Sequence, residues 1–596
     1  MQYTDRSVYE YISTINNDPI IERKTCALSG QQFAIYQSDI DFYTRMSPTF
    51  AWKVWNIPTP TLCPEERKRR RLSFRNERKL YRRQCDASKQ SIISIYSPDK
   101  PHKVYEHKIR RSDHWDAMDY WRSFDFSKTF TENFQQLLID VPLMNLYVTP
   151  DADENNCHYV NAAWFNTNCY FIFDSDQNSN SLYSTWLKNS MHCIDTLYSM
   201  NCEYCYELIY CVWCYKSNFC IFCTHCTDCV WCRSCLWCTD CIWCYWLKNK
   251  QYCIFNKQYS KEEYQQKYTQ MEHIWYINYW NNMILPATHN MIQTCEQVFW
   301  SSLAYCKNVQ QCFDCSWIQE SKYCDGIMNW TEYLYDHSSF WENASYTIEC
   351  EWTWRRVHNI QFCQNIFLDT RDIYYSRSCC QWSHNLFWCI GLRNKSYCIF
   401  NKQYSVYEYE TYTAKIIAHM QETWEWWEFF HPSLSPFWYN ETVAQEHYPL
   451  TQSETSIQDN KTMIDYTQFW YHWSDYNADP TIPEDTHTIH RSHYSHQERQ
   501  DLLTQDTLET QIFICSISWR PYRLQKAEIT FYRQFMLPIP DKHPDIRHQE
   551  RLTRKPWDTL YIRHCDDTNK TIVSVYPPWY SQKVYSEESY LKSVLW

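Results

Sequence analysis

The sequence predicts a mainly β protein in which two cysteine-rich, β-solenoid-like repeat units with short helices lie between zinc-ribbon-like terminal modules. Three observations carry that expectation: a repeat at an offset of 145 residues in the middle of the chain, a second repeat that pairs its two ends, and a run of cysteines spaced by multiples of three. Self-similarity of this kind marks stacked units, each too small to bury its own hydrophobic face alone.

The cysteine ladder is the strongest of the three. Positions 202, 205, 211, 214, 220, 223, 226, 229, 232, 235, 238, 241, 244 and 253 are all cysteine and share one phase, which Cys157, Cys169 and Cys193 also keep. A period of three drifts around an α-helix and alternates between the faces of a strand. It fits a chain that turns every few residues and keeps small side chains at its inward positions. The residues before Cys229 to Cys244 are Asp228, Trp231, Ser234, Trp237, Asp240 and Trp243, and with Trp read as Gly every one is a turn former. The repeated words bound the units: CYWLKNKQYCIFNKQYS, from Cys244 to Ser260, returns as CIGLRNKSYCIFNKQYS, from Cys389 to Ser405. Repeat unit 1 is thus placed at 151–260 and a looser unit 2, whose later cysteines leave the phase, at 295–405. Ser260-x-x-Glu263 and Ser405-x-x-Glu408 are capping boxes, so a helix is expected to close each unit. A helical linker, 261–294, follows the first and a helix- and loop-rich linker, 406–510, the second.

The terminal modules, 1–110 and 511–596, match through CALSGQQFAI at Cys26 and CSISWRPYRL at Cys515, with 111–150 linking the first to the repeats. Cys63-Pro64 and His543-Pro544 follow, each 22 residues before Cys85 or Cys565. Tetrahedral zinc draws two ligands from each of two turns. Cys26, Cys63 and Cys85, with Cys515, His543 and Cys565, are the candidate zinc ligands, while second knuckle positions hold Ser29, Glu66, Ser88 and Ser518. Bound zinc and a ribbon that has lost its metal are both open.

Three glycines stand beside 31 tryptophans, where glycine usage of about 7% is ordinary. In the two repeats Trp246 falls opposite Gly391 and Trp519 opposite Gly30. Glycine encoded by UGA and written as Trp explains both; an aromatic-rich protein is the alternative. Trp115 and Trp473, in SDHWD and YHWSD, read as true tryptophans.

Net charge is −12, which excludes a wholly basic binding surface. One basic run stands out: Arg67, Lys68, Arg69, Arg70, Arg71, Arg75, Arg78, Lys79, Arg82 and Arg83. It reads as a phosphate-binding patch or as a solvated helix face. No apolar run reaches the length of a spanning helix, and the first residues carry no stretch of signal-peptide length, so a cytoplasmic protein without membrane partners is expected. Reduced, buried thiols or metal sites suit such a chain better than disulfides. Walker loops, Gly-x-Ser-x-Gly and His-Glu-x-x-His are absent even with Trp read as Gly. Asp174-x-Asp176-x-Asn178 lacks the glycine and closing glutamate of a calcium loop and reads as a turn.

The words LKNKQYCIFNKQYSKEEY, SPFWYNETVAQEHYPL and RNERKLYRRQCD resemble a family of cysteine-rich, zinc-ribbon-flanked repeat proteins of candidate-phyla bacteria, including lineages that read UGA as glycine. The resemblance covers nearly the whole chain. It implies zinc-ribbon-like ends around a cysteine-rich middle and brings no established activity. The CaiB/BaiF CoA-transferase label of some relatives has no supporting residues here. The functional expectation is a non-enzymatic binding or scaffold protein, zinc-binding and contacting nucleic acid through 67–83 or engaging another protein. The alternatives are a metal-buffering or redox protein that uses the ladder, and an enzyme of unrecognised type.

Overall fold

The computed structural model describes residues 2–185, 303–455 (except 328 and 341) and 496–595 (except 535, 536 and 555–557). It also describes the shorter stretches 187–188, 194–195, 199–200, 238–242, 244, 247, 249–270, 287–288, 292–293, 295–299, 471–476, 482 and 488–490. Ladder positions 202–235 lie outside the described residues. No described helix is long and apolar enough to cross a membrane.

The middle of the chain is a parallel β-solenoid whose backbone turns a left-handed corner at almost every third residue. In unit 2 the positive-φ positions run Tyr305, Asn308, Gln311, Asp314, Trp317, Glu320, Tyr323 and Gly326, and continue to Phe400. Four corners close one rung. Lys307 pairs with Gln319, Glu332 with Ser345 and His384 with Ser396, so the early rungs take twelve residues, the middle ones thirteen and the last twelve again. The added residue sits at the first corner, where neighbours such as Asn329 and Trp330, or Gln381 and Trp382, are both left-handed. This is why the later cysteines leave the period of three: Cys350 and Cys363 are one thirteen-residue rung apart.

The described residues just after a corner are buried, and from Cys306 to Leu392 they are Cys, Ser, Thr, Ala, Val, Ile and Leu, with His337 the one larger exception among those whose side chains are described. Corners interrupt the ladder, and the thiols replace part of what is lost. Cys363 Sγ donates to the Gln361 and Ile373 carbonyls (3.1 and 3.4 Å) and accepts the Ser376 N–H (3.4 Å). Ser376, in the same column, accepts the Cys389 N–H at 3.0 Å. Small size plus a weak donor and acceptor explains the choice of cysteine. All described cysteines are free, and nearly all are buried. Both expected end helices are present, Lys261–Gln270 and Val406–Glu422, with the Ser260–Glu263 and Ser405–Glu408 boxes formed.

The end modules share one element order. Hairpin Ile20–Thr25/Gln32–Tyr36, helices Gln37–Met46 and Pro64–Leu72, hairpin Tyr81–Gln84/Ser91–Ser94, strand Val104–Tyr105 and helix His107–Arg111 form the first. Ile512–Ile514/Pro521–Tyr522, Lys526–Gln534, Pro544–Thr553, Tyr561–His564/Thr571–Ser574, Val584–Tyr585 and Glu587–Leu595 form the second. Docking is crossed. The Pro64–Leu72 helix lies on unit 2 through Arg67 and Arg71, both on Asp336 (2.8 and 3.3 Å). Its counterpart Pro544–Thr553 lies on unit 1 through Arg547 and Arg551, both on Asp195 (2.8 and 3.2 Å). Asp336 and Asp195 are themselves corner residues with positive φ.

Outside the solenoid, eight described non-glycine residues have positive φ, and four of them are tryptophan: Trp52, Trp424, Trp427 and Trp519. Three occupy positions whose geometry asks for glycine. Ala51 and Trp52 form the two-residue turn between Phe50 and Lys53, with φ of 50° and 64°, the Asn-Gly site of a hairpin. Trp424 (φ 60°) follows the cap of helix Val406–Glu422, where the Glu425 N–H returns to the Met420 carbonyl in a Schellman closure. Trp519 (φ 58°) matches Gly30 (φ 70°). Their indoles are 101%, 93% and 67% exposed, so no packing compensates the backbone.

Candidate functional site

The expected basic patch is corrected by the structure: Arg67, Lys68, Arg69, Arg70, Arg71, Arg75 and Arg78 are buried, not solvated. Most of their carboxylates come from elsewhere in the chain. Besides Asp336, Arg70 meets Glu349 and Glu428 (3.0 and 2.8 Å), and Lys68 bridges Asp325 and Asp558 (3.1 and 2.7 Å). Arg69 pairs with Glu66 (2.7 Å), and Arg75 with Asp174 (2.6 Å), Glu77 and Glu351. A buried guanidinium is tolerated only with such partners. Of the run, Lys79 and Arg82 reach solvent, and Arg83 pairs with Asp86.

Of the zinc candidates, Cys26 and Cys63 are brought together, and no three of the six converge. Cys26, Cys85, Cys515 and Cys565 begin four equivalent turns, each with the N–H of the fourth following residue returning to the cysteine carbonyl. Cys63 faces the first turn, with Ser29 Oγ 3.8 Å from its sulfur, whereas Cys85 accepts the Glu106 N–H at 3.3 Å ahead of helix His107–Arg111. Cys565 likewise accepts the Ser586 N–H (3.1 Å). Among the described residues, the one trio whose ligand atoms all lie within 4.8 Å of one another is Asp314, Asp325 and Asp558, and the Lys68 ammonium already bridges two of these. Glu66, at the fourth ribbon position, is held by Tyr3 and Arg69. Cys26 and Cys63 bring two thiols to one place, where tetrahedral zinc takes four ligands. The turns instead favour thiolates. A hydrogen bond from Cys63 holds Cys26 down at about 5. Burial pushes Cys565 up, but donors from Thr568 and the backbone outweigh it and bring it to about 6.

Buried thiols of unit 2 behave in the opposite way. Burial raises Cys350, Cys379 and Cys398 to about 12. A thiol so far from ionising is a poor metal ligand and a poor nucleophile.

A cleft of about 520 Å³ opens where the two end modules meet unit 1. Arg78 and Lys79 of the first module face Arg520 and Arg523 of the second. Asp545 receives Arg78 (3.5 Å), Lys79 (3.5 Å) and Arg520 (2.8 Å). Burial raises Asp545, yet Lys79 and Arg78 overrule it and hold the carboxyl well below its usual range. Glu441, the other lining carboxylate, pairs with Lys100 at 2.9 Å and accepts the Tyr81 hydroxyl. Burial lowers His543 to about 4, so it is neutral at neutral pH, and its Nδ1 accepts the Asp545 N–H. Tyr159 and Tyr476, 39% and 44% exposed, complete the walls.

The chain matches no family model, no curated protein and no solved structure. The internal repeat supplies the comparison that remains. Arg520 and Arg523 stand opposite Gln31 and Ala34, and Arg78 and Lys79 opposite Asp558 and Thr559. The cations are therefore present only in the copies that border the cleft, a signal readable in the aligned ends but visible only once the cleft brings those four positions together.

Proposed function

We propose that the protein is a non-enzymatic binding scaffold: a solenoid body, two end modules clamped to it by buried ion pairs, and a cleft between them that takes an anionic partner. The observation that carries this reading is the charge of the cleft, four cations against two carboxylates in a chain of net charge −12. Both carboxylates are already matched, so the surplus is positive. Contact with an acidic partner is assigned to Lys79, Arg520 and Arg523, in place of the buried part of the 67–83 run. His543 donates no acid–base pair to the cleft, because its ring is committed to a helix N-terminus.

Inorganic polyphosphate is the simplest probe. It should bind the full chain with an affinity that falls steeply between low and moderate salt, as counterion release requires. Arg520→Gln with Arg523→Gln should flatten that slope. Absence of polyphosphate binding at low salt refutes the reading.

A further inference from the structure

We infer that the cleft takes a nucleotide unit, one base stacked on tyrosine with its phosphate on the arginines, an assignment that rests on the anion-binding reading above. Charge alone does not choose among anions; the walls do. Tyr159 is braced by a T-shaped contact with Tyr170 (centroids 5.6 Å apart) and Tyr476 by one with Tyr81 (5.7 Å). Two partly exposed, braced aromatic rings beside fixed cations are what a base and its phosphate require, since every base offers a π-face and stacking needs no hydrogen-bond code. The cations are positioned in advance. Arg523 is held by donating to the Glu509 carbonyl (3.0 Å), and Arg520 by Asp545 (2.8 Å). Guanidinium forks suit phosphate oxygens better than a point ammonium does.

Size narrows the occupant. At about 520 Å³ the cleft lies in the range of small-ligand sites, roughly 300–1,000 Å³. It admits one nucleotide, either free or as part of a single strand threading the cleft, and not a duplex. The sister positions Gln31, Ala34, Asp558 and Thr559 carry no equivalent cation pair, so a second such site is not expected at the other junction.

The test titrates the full chain with adenosine monophosphate, a ten-nucleotide single strand and polyphosphate of matched charge. Nucleotide and strand should bind, and Tyr476→Ala and Tyr159→Ala should each weaken both by about 5- to 150-fold, the worth of one stacked base. Polyphosphate binding should be unchanged in the same variants, which also shows that they are folded. Tyr476→Phe, which keeps the ring, should restore binding. A strand that binds more than tenfold tighter than the monophosphate makes single-stranded nucleic acid the source, and equal affinity makes it the free nucleotide. If the tyrosine variants leave strand and nucleotide binding unchanged while polyphosphate still binds, the nucleotide assignment falls and the anion site stands. If none of the three binds at low salt, both fall.

Discussion

Removing Asp336 should release the first end module from the solenoid while the rungs themselves persist. One oxygen of this carboxylate, Oδ1, takes both Arg67 Nε (2.8 Å) and Arg71 Nη1 (3.3 Å), and all three side chains are at most 2% exposed. Breaking a buried pair leaves an uncompensated charge and costs about 3–5 kcal/mol, against about 0–1 kcal/mol for a surface pair. Asp336→Ala strands two guanidiniums, so the upper part of that range applies. Arg67 retains the Leu62 carbonyl and Arg71 only a 3.4 Å contact to Ser338 Oγ. The equivalent Asp195→Ala should cost less, because Arg547 keeps Glu528 at 3.4 Å. Hydrogen exchange of peptides covering Pro64–Leu72 reports the module directly. A loss of 3–5 kcal/mol speeds exchange by about two to nearly four decades. Replacing the charges together, as Asp336→Leu with Arg67→Met and Arg71→Met, should recover most of the protection. Exchange in Asp336→Ala within threefold of the parent chain would refute the argument, since it would mean that these charges are hydrated after all.

Three further outcomes follow from the same geometry. Trp424→Gly should stabilise the chain by about 1 kcal/mol by relieving a left-handed backbone, and peptide mass spectrometry of the protein from its native source should find Gly at 52, 424 and 519; Trp at all three ends the glycine reading. Burial raises Glu77 to about 8 and Glu351 to about 7 from an ordinary 4.5, only partly offset by Arg75. Their folded values lie above their unfolded ones, so their contribution is complete below about pH 4.5 and is lost as pH rises through 7–8; Glu351→Gln should flatten that decline in denaturation midpoints, and an unchanged pH profile counts against it. In unit 2, Cys363→Ser keeps a donor and an acceptor at the same place, as Ser376 does, and should cost under about 1 kcal/mol, whereas Cys363→Asp should cost several. Thiol reagents should label Cys363 slowly until the chain is denatured, and rapid labelling of the folded chain would defeat the inward stack.

How much of this was legible in the sequence depends on the range of the interaction. The cysteine spacing carried the solenoid, because a corner every three residues is a local property and Asp240, just before Cys241, does take the left-handed turn expected of it. The capping boxes at Ser260 and Ser405 were legible for the same reason. The change to thirteen-residue rungs was not, since an added residue at one corner resembles loss of pattern. The basic run was misread because its partners lie far away in sequence. Asp336 and Glu349 are 269 and 279 residues from Arg67 and Arg70, and at a corner they look like ordinary turn formers. One observation could have raised the alternative: within the helix Arg67 and Arg71 recur as Arg547 and Arg551, while Lys68, Arg69 and Arg70 become His548, Gln549 and Glu550. A solvated face has no reason to keep two positions four apart while losing the charge between them, whereas a helix docked through one carboxylate must keep both. The zinc candidates show another kind of repetition. Cys26, Cys85, Cys515 and Cys565 repeat because their turns repeat, and a knuckle turn persists on its backbone hydrogen bonds whether or not a metal remains. Repetition therefore reports the backbone in the end modules and the contact surface in the docking helices, and the departures from it at Arg78, Lys79, Arg520 and Arg523 are what the proposed anion site is built on.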